Sequence, residues 1–480
     1  MPYIKELHNL LNHSNLQLDL SKTPFTLLFV YPGIGVGKIF EDLAGCTKQL
    51  CQLSDTQDRA NKLGVQIAAL SSVSTVIDTL KTAYFPIGSI SPEFIPSDLI
   101  VTKGDQQYFA RSAYLLSPDG RVERWVDPDG MRMIDEGFKK VEQVYLSFVK
   151  VATKDTISLD QLNSCEVSIL PTGADALSVL AMSLTNSYVL KRLRAEHTDI
   201  ETKYMFGMND NKHTIFPNMH TQAVVGPERW LVMDKLNPLK ERSIPKLVER
   251  LSRFYLATKS DVTIDIHYHL YHRFFKVIKS DGFVDTRHGL DICESHVLSQ
   301  TVTFGDRRTS SLEHMLNQIS ESLPSFQSPF VSCIHGDVHW PNILESLQLD
   351  IKLIDPRLSW DGCFAINGNY DPTYDFATLL HSSMLDRLSS SDIFDSKDVG
   401  LIISESVVIA ADQLESEVVT SIAAHIPTLM DTPLFIRKLR IYCANATFGW
   451  LKYKQVISAR EQWNYYFGLT LFWLDRALEN

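Results

Sequence analysis

Short, nearly continuous apolar runs mark the first quarter of the chain. Thr26-Leu27-Leu28-Phe29-Val30-Tyr31 and Val65-Gln66-Ile67-Ala68-Ala69-Leu70 have strand length, and their pattern predicts strands buried on both faces. The segment between them, Cys46 to Leu63, predicts a helix, so the whole reads as a β-α-β unit around a central sheet. Ala113-Tyr114-Leu115-Leu116 followed by Ser117-Pro118-Asp119-Gly120 predicts a strand entering a hairpin turn. A helix over roughly 131–152 closes the region, and polar Thr153-Lys154-Asp155-Thr156 reads as a linker. Strands return at Val167–Leu170, Tyr188–Lys191 and Trp230–Met233. Beyond Leu236 the pattern is mainly helical, interrupted by a loop-rich stretch at 333–375. The expected organisation is an α/β domain over 1–152, a linker at 153–160, a small mixed lobe over 161–236 and a large helical lobe over 237–480.

Composition narrows the class. With 480 residues there is room for two or three domains, and 44% hydrophobic and 21% charged residues are ordinary for a globular chain. A net charge of -11 argues against a nucleic-acid-binding surface, which needs a basic face. The opening residues MPYIKELHNLL interleave charge with apolar positions, unlike a signal peptide, and no run approaches the ~20 apolar residues of a membrane span. The expectation is a cytoplasmic protein with neither nucleic-acid nor membrane partners, acting as a monomer or homodimer. Seven cysteines form no disulfide framework, but Cys46 and Cys51 lie close together.

The most specific motif is His335-Gly336-Asp337-Val338-His339-Trp340-Pro341-Asn342-Ile343-Leu344, followed by Lys352-Leu353-Ile354-Asp355-Pro356-Arg357. Phosphoryl transfer requires one carboxylate to orient and deprotonate the attacking hydroxyl. It also requires an amide oxygen and a second carboxylate to hold Mg²⁺ against the phosphates. Asp337, Asn342 five residues on and Asp355 eighteen residues on supply that set. The segment resembles the catalytic loop and metal-binding segment of the aminoglycoside phosphotransferase and choline kinase superfamily, whose pattern is HGDxxxxN and then an apolar strand ending in Ile-Asp. The resemblance implies an α+β, bilobal, protein-kinase-like domain using ATP and Mg²⁺ on a hydroxyl of a small-molecule acceptor, sugar-like or amino-alcohol-like. It implies Asp337 as catalytic base, Asn342 and Asp355 as metal ligands, and His335 as a brace for the loop. The Ile-Asp-Pro-Arg version, with Tyr370-Asp371-Pro372-Thr373-Tyr374-Asp375 downstream, is most similar to bacterial kinases encoded with surface-polysaccharide genes.

The same resemblance places a phosphate-covering turn at Ile169–Asp175 around Gly173 and a phosphate-binding lysine at Lys191. Glu201 is the expected helix partner of that lysine, with Glu196 nearly equivalent. The hinge that binds adenine falls near Met233 to Leu236. Arg357 has two readings, an anion-binding residue or a structural ion pair with Asp375. Asp375 itself is expected to pack the catalytic loop. His267, His269 and His272 are two and three residues apart, which on a helix does not converge on one metal ion. Asp361, Asp371 and Trp360 are candidates for acceptor contact.

Gly45-Cys46-Thr47, with Cys51 five residues on and a preceding strand ending Phe29-Val30-Tyr31-Pro32, resembles the peroxiredoxin family of the thioredoxin fold. The match is to the bacterioferritin-comigratory type and spans roughly residues 20–125. The resemblance implies an α/β thioredoxin-like domain in which Cys46 is the peroxide-reactive thiolate, Cys51 its resolving partner and Arg111 the residue that lowers the thiol pKa. Peroxide and a thiol reductant are then partners. A helix N-terminus stabilises a thiolate, which fits Cys46 at the start of the expected helix. The chain departs from the family at Leu43, where the family has Thr, and in a longer loop between Pro32 and Cys46. The leading expectation is a phosphotransferase fused to a peroxiredoxin-like thiol domain. Two alternatives stand beside it: a kinase whose N-terminal domain is a non-catalytic binding or dimerisation module, and a scaffold with neither activity.

Overall fold

The structure is a computed structural model and describes residues 3–20, 23, 25–33, 36–41, 46–73, 85–117, 120–153, 166–169, 178–182, 187–192, 198–225, 228–322, 327–360, 363–396, 400–432, 434–454 and 456–479. The chain divides into two compact units: Met1–Glu196 with Met219–Lys235, and His197–Asn218 with Leu236–Asn480.

The first unit opens with α1 (Tyr3–Asn12) and β1 (Phe25–Tyr31), followed by α2 (Cys46–Asp55) and α3 (Gln57–Leu63). The single helix expected over 46–63 is thus two. The chain breaks at Thr56, whose hydroxyl donates to the Leu53 carbonyl at 2.9 Å, and α3 ends at Gly64 in the left-handed conformation, φ +63°. Next come β2 (Val65–Ser71), β3 (Ile87–Ser89), a hairpin of β4 (Ile100–Lys103) and β5 (Gln106–Phe109), then β6 (Ser112–Leu116) and β7 (Val122–Val126). The central sheet has the order β3-β2-β1-β6-β7, parallel across β3-β2-β1 and antiparallel beyond.

All seven β1 residues are buried, and strand alternation sorts them. Phe25, Leu27, Phe29 and Tyr31 face one core and Leu28 and Val30 the other, where Leu7 and Leu10 of α1 cover the sheet. A long helix, α4 (Gly130–Thr153), covers the first face through Met133, Ile134, Phe138 and Val141.

That core does not stop at α4. A second sheet of β8 (Glu166–Ile169), β9 (Ser178–Met182), β10 (Ser187–Arg192), β11 (Met219–Val225) and β12 (Glu228–Asp234) is antiparallel with the order β11-β12-β10-β9-β8. Tyr188 and Leu190 of β10 and Val232 of β12 belong to the same apolar core as Phe25 and Phe138. The α/β portion and the second sheet therefore share one interior. Of the linker expected at 153–160, only Thr153 lies within the described residues.

The second unit contains α5 (Thr198–Gly207), α6 (Ile244–Ala257), β13 (Ser332–Cys333), a hairpin of β14 (Ile343–Glu345) and β15 (Ile351–Leu353), and β16 (Asn369–Tyr370). It also contains the helices α7 (Thr373–Arg387), α8 (Glu405–His425), α9 (Phe435–Gly449) and α10 (Arg460–Leu478), among further short helices and strands. α7 is buried continuously from Thr373 to Met384, so it is central to this unit. Among the described residues no helix is long and apolar enough to cross a membrane.

Two residues expected to contact the acceptor are instead buried in the fold. Trp360 is fully buried among aromatic rings, 4.7 Å from His269 and 5.4 Å from Tyr374 between centroids. Asp371, also fully buried, pairs with Lys438 of α9 at 2.9 Å and caps the Thr373 amide at 2.9 Å. Asp361 lies outside the described residues.

A buried ion pair costs most when one member is removed, because the survivor stays desolvated and unpaired. Lys438→Met should therefore lower stability by about 3–5 kcal/mol. The double change Asp371→Asn with Lys438→Met should recover much of that loss, as read from urea denaturation midpoints.

Candidate active site

β13 pairs antiparallel with β16. The chain leaving β13 becomes the loop His335–Trp340, and the chain leaving β16 enters α7, so the loop lies along the first two turns of that helix. Asp375, Thr378 and Ser382 fall at i, i+3 and i+7 on one helical face. Asp375 accepts the amides of His335 at 2.7 Å and Gly336 at 2.6 Å, together with the Tyr255 hydroxyl at 2.8 Å. Thr378 Oγ1 accepts the Val338 amide at 3.1 Å and Ser382 Oγ the Trp340 amide at 3.0 Å. Ser383 Oγ accepts the Trp340 indole N–H at 3.0 Å. A loop this buried cannot leave its amides to water, and the polar stripe of α7 satisfies them in sequence.

Gly336 is required by two independent facts. Its φ is +79°, and a Cβ there would lie 1.8 Å from the Arg357 carbonyl oxygen. That close approach brings the loop onto the segment Asp355–Arg357, and the Arg357 amide donates to the His335 carbonyl at 2.8 Å.

The β14–β15 hairpin supplies the other half of the site. Ile343 pairs with Leu353, and beyond the ladder the Ile354 amide donates to the Asn342 carbonyl at 2.9 Å. The register therefore sets Asn342 beside Ile354 and its successor, Asp355. Asn342 Nδ2 donates to the Asp337 carbonyl at 3.0 Å and approaches Asp337 Oδ2 at 3.4 Å. Asp355 is held at φ +61°, a conformation that non-glycine residues rarely adopt.

His335 connects the two halves. Its Nε2 lies 2.8 Å from the Ile354 carbonyl, so Nε2 carries the proton and donates. Nδ1 is then the acceptor for the Asp337 amide at 3.3 Å. Burial pushes the His335 pKa down to about 4, which keeps the ring neutral in this bridging tautomer. The bracing role expected for His335 thus has a geometric form.

Electrostatics separates the two carboxylates. Burial pushes the Asp337 carboxyl up, but His339, whose Nε2 lies 2.7 Å from Oδ1, outweighs it together with Arg357 and His335. The carboxyl is held well below the usual range. Asp375, fully buried, is pushed up to about 6 by burial, against the pull of its three donors. Arg357 does not pair with Asp375: its Nε donates to the Ser359 carbonyl at 3.3 Å, and Tyr453 is the group its field acts on most.

The donor set suits a hard divalent cation. Because Asn342 Nδ2 is turned to the Asp337 carbonyl, its Oδ1 is the atom left for a metal, and Asp355 offers a carboxylate one residue past the hairpin bond.

The remaining expected residues are distributed as follows. Lys191 lies on β10, between Leu231 of β12 and Ser178 of β9. Met233 is buried on β12 opposite Val189, and Leu236 follows that strand. Glu201 lies on α5 in the second unit, whereas Lys191 is in the first. Gly173 lies outside the described residues. Cys46 is the first residue of α2, Cys51 is exposed on the same helix, and Arg111, buried just before β6, donates to the Pro128 carbonyl at 3.1 Å. Leu43 lies outside the described residues. Sequence reading missed His339, Thr378, Ser382, Ser383 and Tyr453. The helical spacing of polar residues in 375–383 was the one available signal.

No family model matches the chain, and no curated protein matches it. Among solved structures, peroxiredoxin Q of Xanthomonas campestris is similar at 21% identity, over 25% of this chain and 80% of its own, with a TM-score of 0.21. An ethanolamine kinase of Plasmodium vivax is 13% identical over 69% of this chain and 87% of its own, with a TM-score of 0.40. An aminoglycoside phosphotransferase of Streptomyces rimosus, in complex with ADP and streptomycin, is 13% identical over 63% of this chain and 98% of its own, with a TM-score of 0.33.

Thr378→Val keeps the shape but leaves the buried Val338 amide without its acceptor, and should cost about 1–3 kcal/mol in denaturation. Asp375 gives a pH signature. Its folded pKa of about 6 exceeds the ordinary carboxyl value of 3.8, so the stability it contributes is complete below roughly pH 4 and is lost as pH rises through 6. The stability advantage of the wild type over Asp375→Asn should shrink by roughly 2–3 kcal/mol between pH 4 and pH 7.

Proposed function

We propose that the chain is an ATP- and Mg²⁺-dependent phosphotransferase acting on a hydroxyl of a small molecule, joined to a peroxiredoxin-like thiol portion. The observation that carries the first reading is the convergence of Asp337, Asn342 and Asp355 through the β14–β15 register and the His335 bridge. Asp337 orients the acceptor hydroxyl and takes its proton as the new O–P bond forms and the bond to the ADP leaving group breaks. Its depressed pKa makes orientation the larger part of that role, with proton transfer late. Asn342 Oδ1 and Asp355 would hold Mg²⁺, which supplies charge neutralisation at the phosphates. Lys191 binds the α- and β-phosphates, Glu201 orients that lysine, the turn at Gly173 covers the phosphates, and Met233 to Leu236 receive the adenine.

On this reading 161–236 is the nucleotide-binding lobe, 237–480 the helical lobe and 1–152 the thiol portion, joined through 153–160. The thiol reading is supported by Cys46 at the first position of α2 and by the exposed Cys51 on the same helix. Arg111 lowers the Cys46 pKa, peroxide oxidises the thiolate to a sulfenic acid and releases water or an alcohol, and, once the helix carrying both cysteines partly unwinds, Cys51 condenses with it to a disulfide with loss of water. An external thiol then restores both cysteines.

Asp337→Ala should lower turnover by about 10²–10⁴-fold while leaving MgATP affinity nearly unchanged. Asp355→Ala should instead weaken nucleotide binding only when Mg²⁺ is present. Calorimetry and single-turnover assays separate the two, and wild-type turnover in Asp337→Ala would remove the base assignment. Lys191→Met should raise the KM for ATP without changing the unfolding midpoint.

For the thiol portion, Cys46 should alkylate at pH 7 faster than Cys293 or Cys443, and mild peroxide should yield a Cys46–Cys51 disulfide in peptide mapping. Equal alkylation rates and no such disulfide would leave residues 1–152 a packing module.

A further inference from the structure

The surroundings of Asp337 carry a feature that phosphate transfer alone does not use. Arg357 is half-buried, and among the described residues no carboxylate lies within 4.0 Å of it. Its Nε donates to the Ser359 carbonyl, and its field reaches the Tyr453 hydroxyl and the Asp337 carboxylate. Tyr453 follows the single helical turn Trp450–Lys452 that ends α9, and the Lys452 ammonium lies 5.4 Å from its ring centroid. Trp450, half-buried, stacks on Tyr466 with centroids 6.0 Å apart and planes within 10°. Its ring is also 5.9 Å from His339, the residue paired with Asp337. The sequence of groups leading away from the expected base is therefore His339, an aromatic wall of Trp450 and Tyr453, and the cations Arg357 and Lys452.

The local field agrees. Burial pushes the Tyr453 phenol up, yet Arg357, Lys452 and Arg273 together outweigh burial and hold it below its ordinary value. Asp337 is close enough to act on the guanidinium through its field but does not form an ion pair with it within 4.0 Å, so Arg357 keeps donors that an anionic ligand could take up. A polycation would meet repulsion in the same place.

We propose that the phosphate acceptor is a hydroxyl compound bearing its own anionic group, a phosphate or carboxylate on a sugar-like ring. Arg357 and Tyr453 grip the anion and Trp450 backs the ring. This rests on the phosphotransferase reading and selects within it: anionic sugars are taken, and cationic amino sugars and amino alcohols are refused.

The test uses the full chain with MgADP present and calorimetric titration of four probes: inorganic phosphate, glucose 6-phosphate, glucuronate and the polycation kanamycin. At least one of the three anions should bind, and kanamycin should not. Arg357→Gln should weaken the anion by about 10–100-fold, the loss expected for one charge-assisted contact. MgADP affinity should stay within about twofold, and Arg357→Lys should recover part of the anion binding. Binding of kanamycin in preference to every anion would overturn the proposal, as would absence of anion binding, or anion binding unchanged in Arg357→Gln. A parallel loss of MgADP affinity in Arg357→Gln would also overturn it, by assigning the guanidinium to the nucleotide. If Arg357→Gln does not fold, Tyr453→Phe takes its place and should weaken the anion by several-fold. The underlying reading fails differently: MgADP then binds no wild-type protein, or binds Asp355→Ala equally well.

Discussion

The candidate site depends on one buried carboxylate. Asp375 receives two consecutive loop amides and a phenol, and without it the turn at His335-Gly336 has no partner for its N–H groups. Everything reactive in the loop is hung from that anchor. The Gly336 φ of +79° turns the chain toward Asp337, and the missing Cβ lets the Arg357 carbonyl approach. His335 then reaches across to Ile354. Thr378 and Ser382 continue the same grip one and two turns further along α7. The helix is buried all round, so these polar groups are tolerated because each is matched to a loop donor.

The charges around this anchor are arranged by opposition. Asp375 is raised by burial and Asp337 lowered by His339 and Arg357, although the two residues are in the same part of the fold. The difference lies in their company: amides and a phenol for one, His339 and Arg357 for the other. A carboxylate kept ionised suits contact with a hydroxyl, and one raised by an apolar setting suits a structural role.

In the first unit the governing constraint is the shared interior. α4 covers the central sheet on one side, and the core it helps to form runs on into Tyr188, Leu190 and Val232 of the second sheet. Residues 1–152 are thus part of the packing that holds Lys191 and Met233 in register, whatever chemistry Cys46 performs. Stability of the second sheet is coupled to the α/β portion by apolar area common to both.

The sequence alone determined those features that rest on short-range pattern. The apolar runs at 26–31 and 65–70 became β1 and β2 because strands buried on both faces need little else to be recognised. The spacing of Asp337, Asn342 and Asp355 was legible because a loop and a local hairpin bring them together, so distance along the chain nearly reports distance in space. What lay outside that reach was decided by packing. Asp371 looked like an acceptor contact until α9 placed Lys438 against it, sixty-seven residues away. Arg357 had two readings until the turn after α9 brought Tyr453 to it and α7 turned Asp375 to the loop amides. The one interior shared by two sheets has no periodicity of its own. Partners far apart in sequence are selected by which buried faces and buried charges can be satisfied together, and only the folded chain makes that selection.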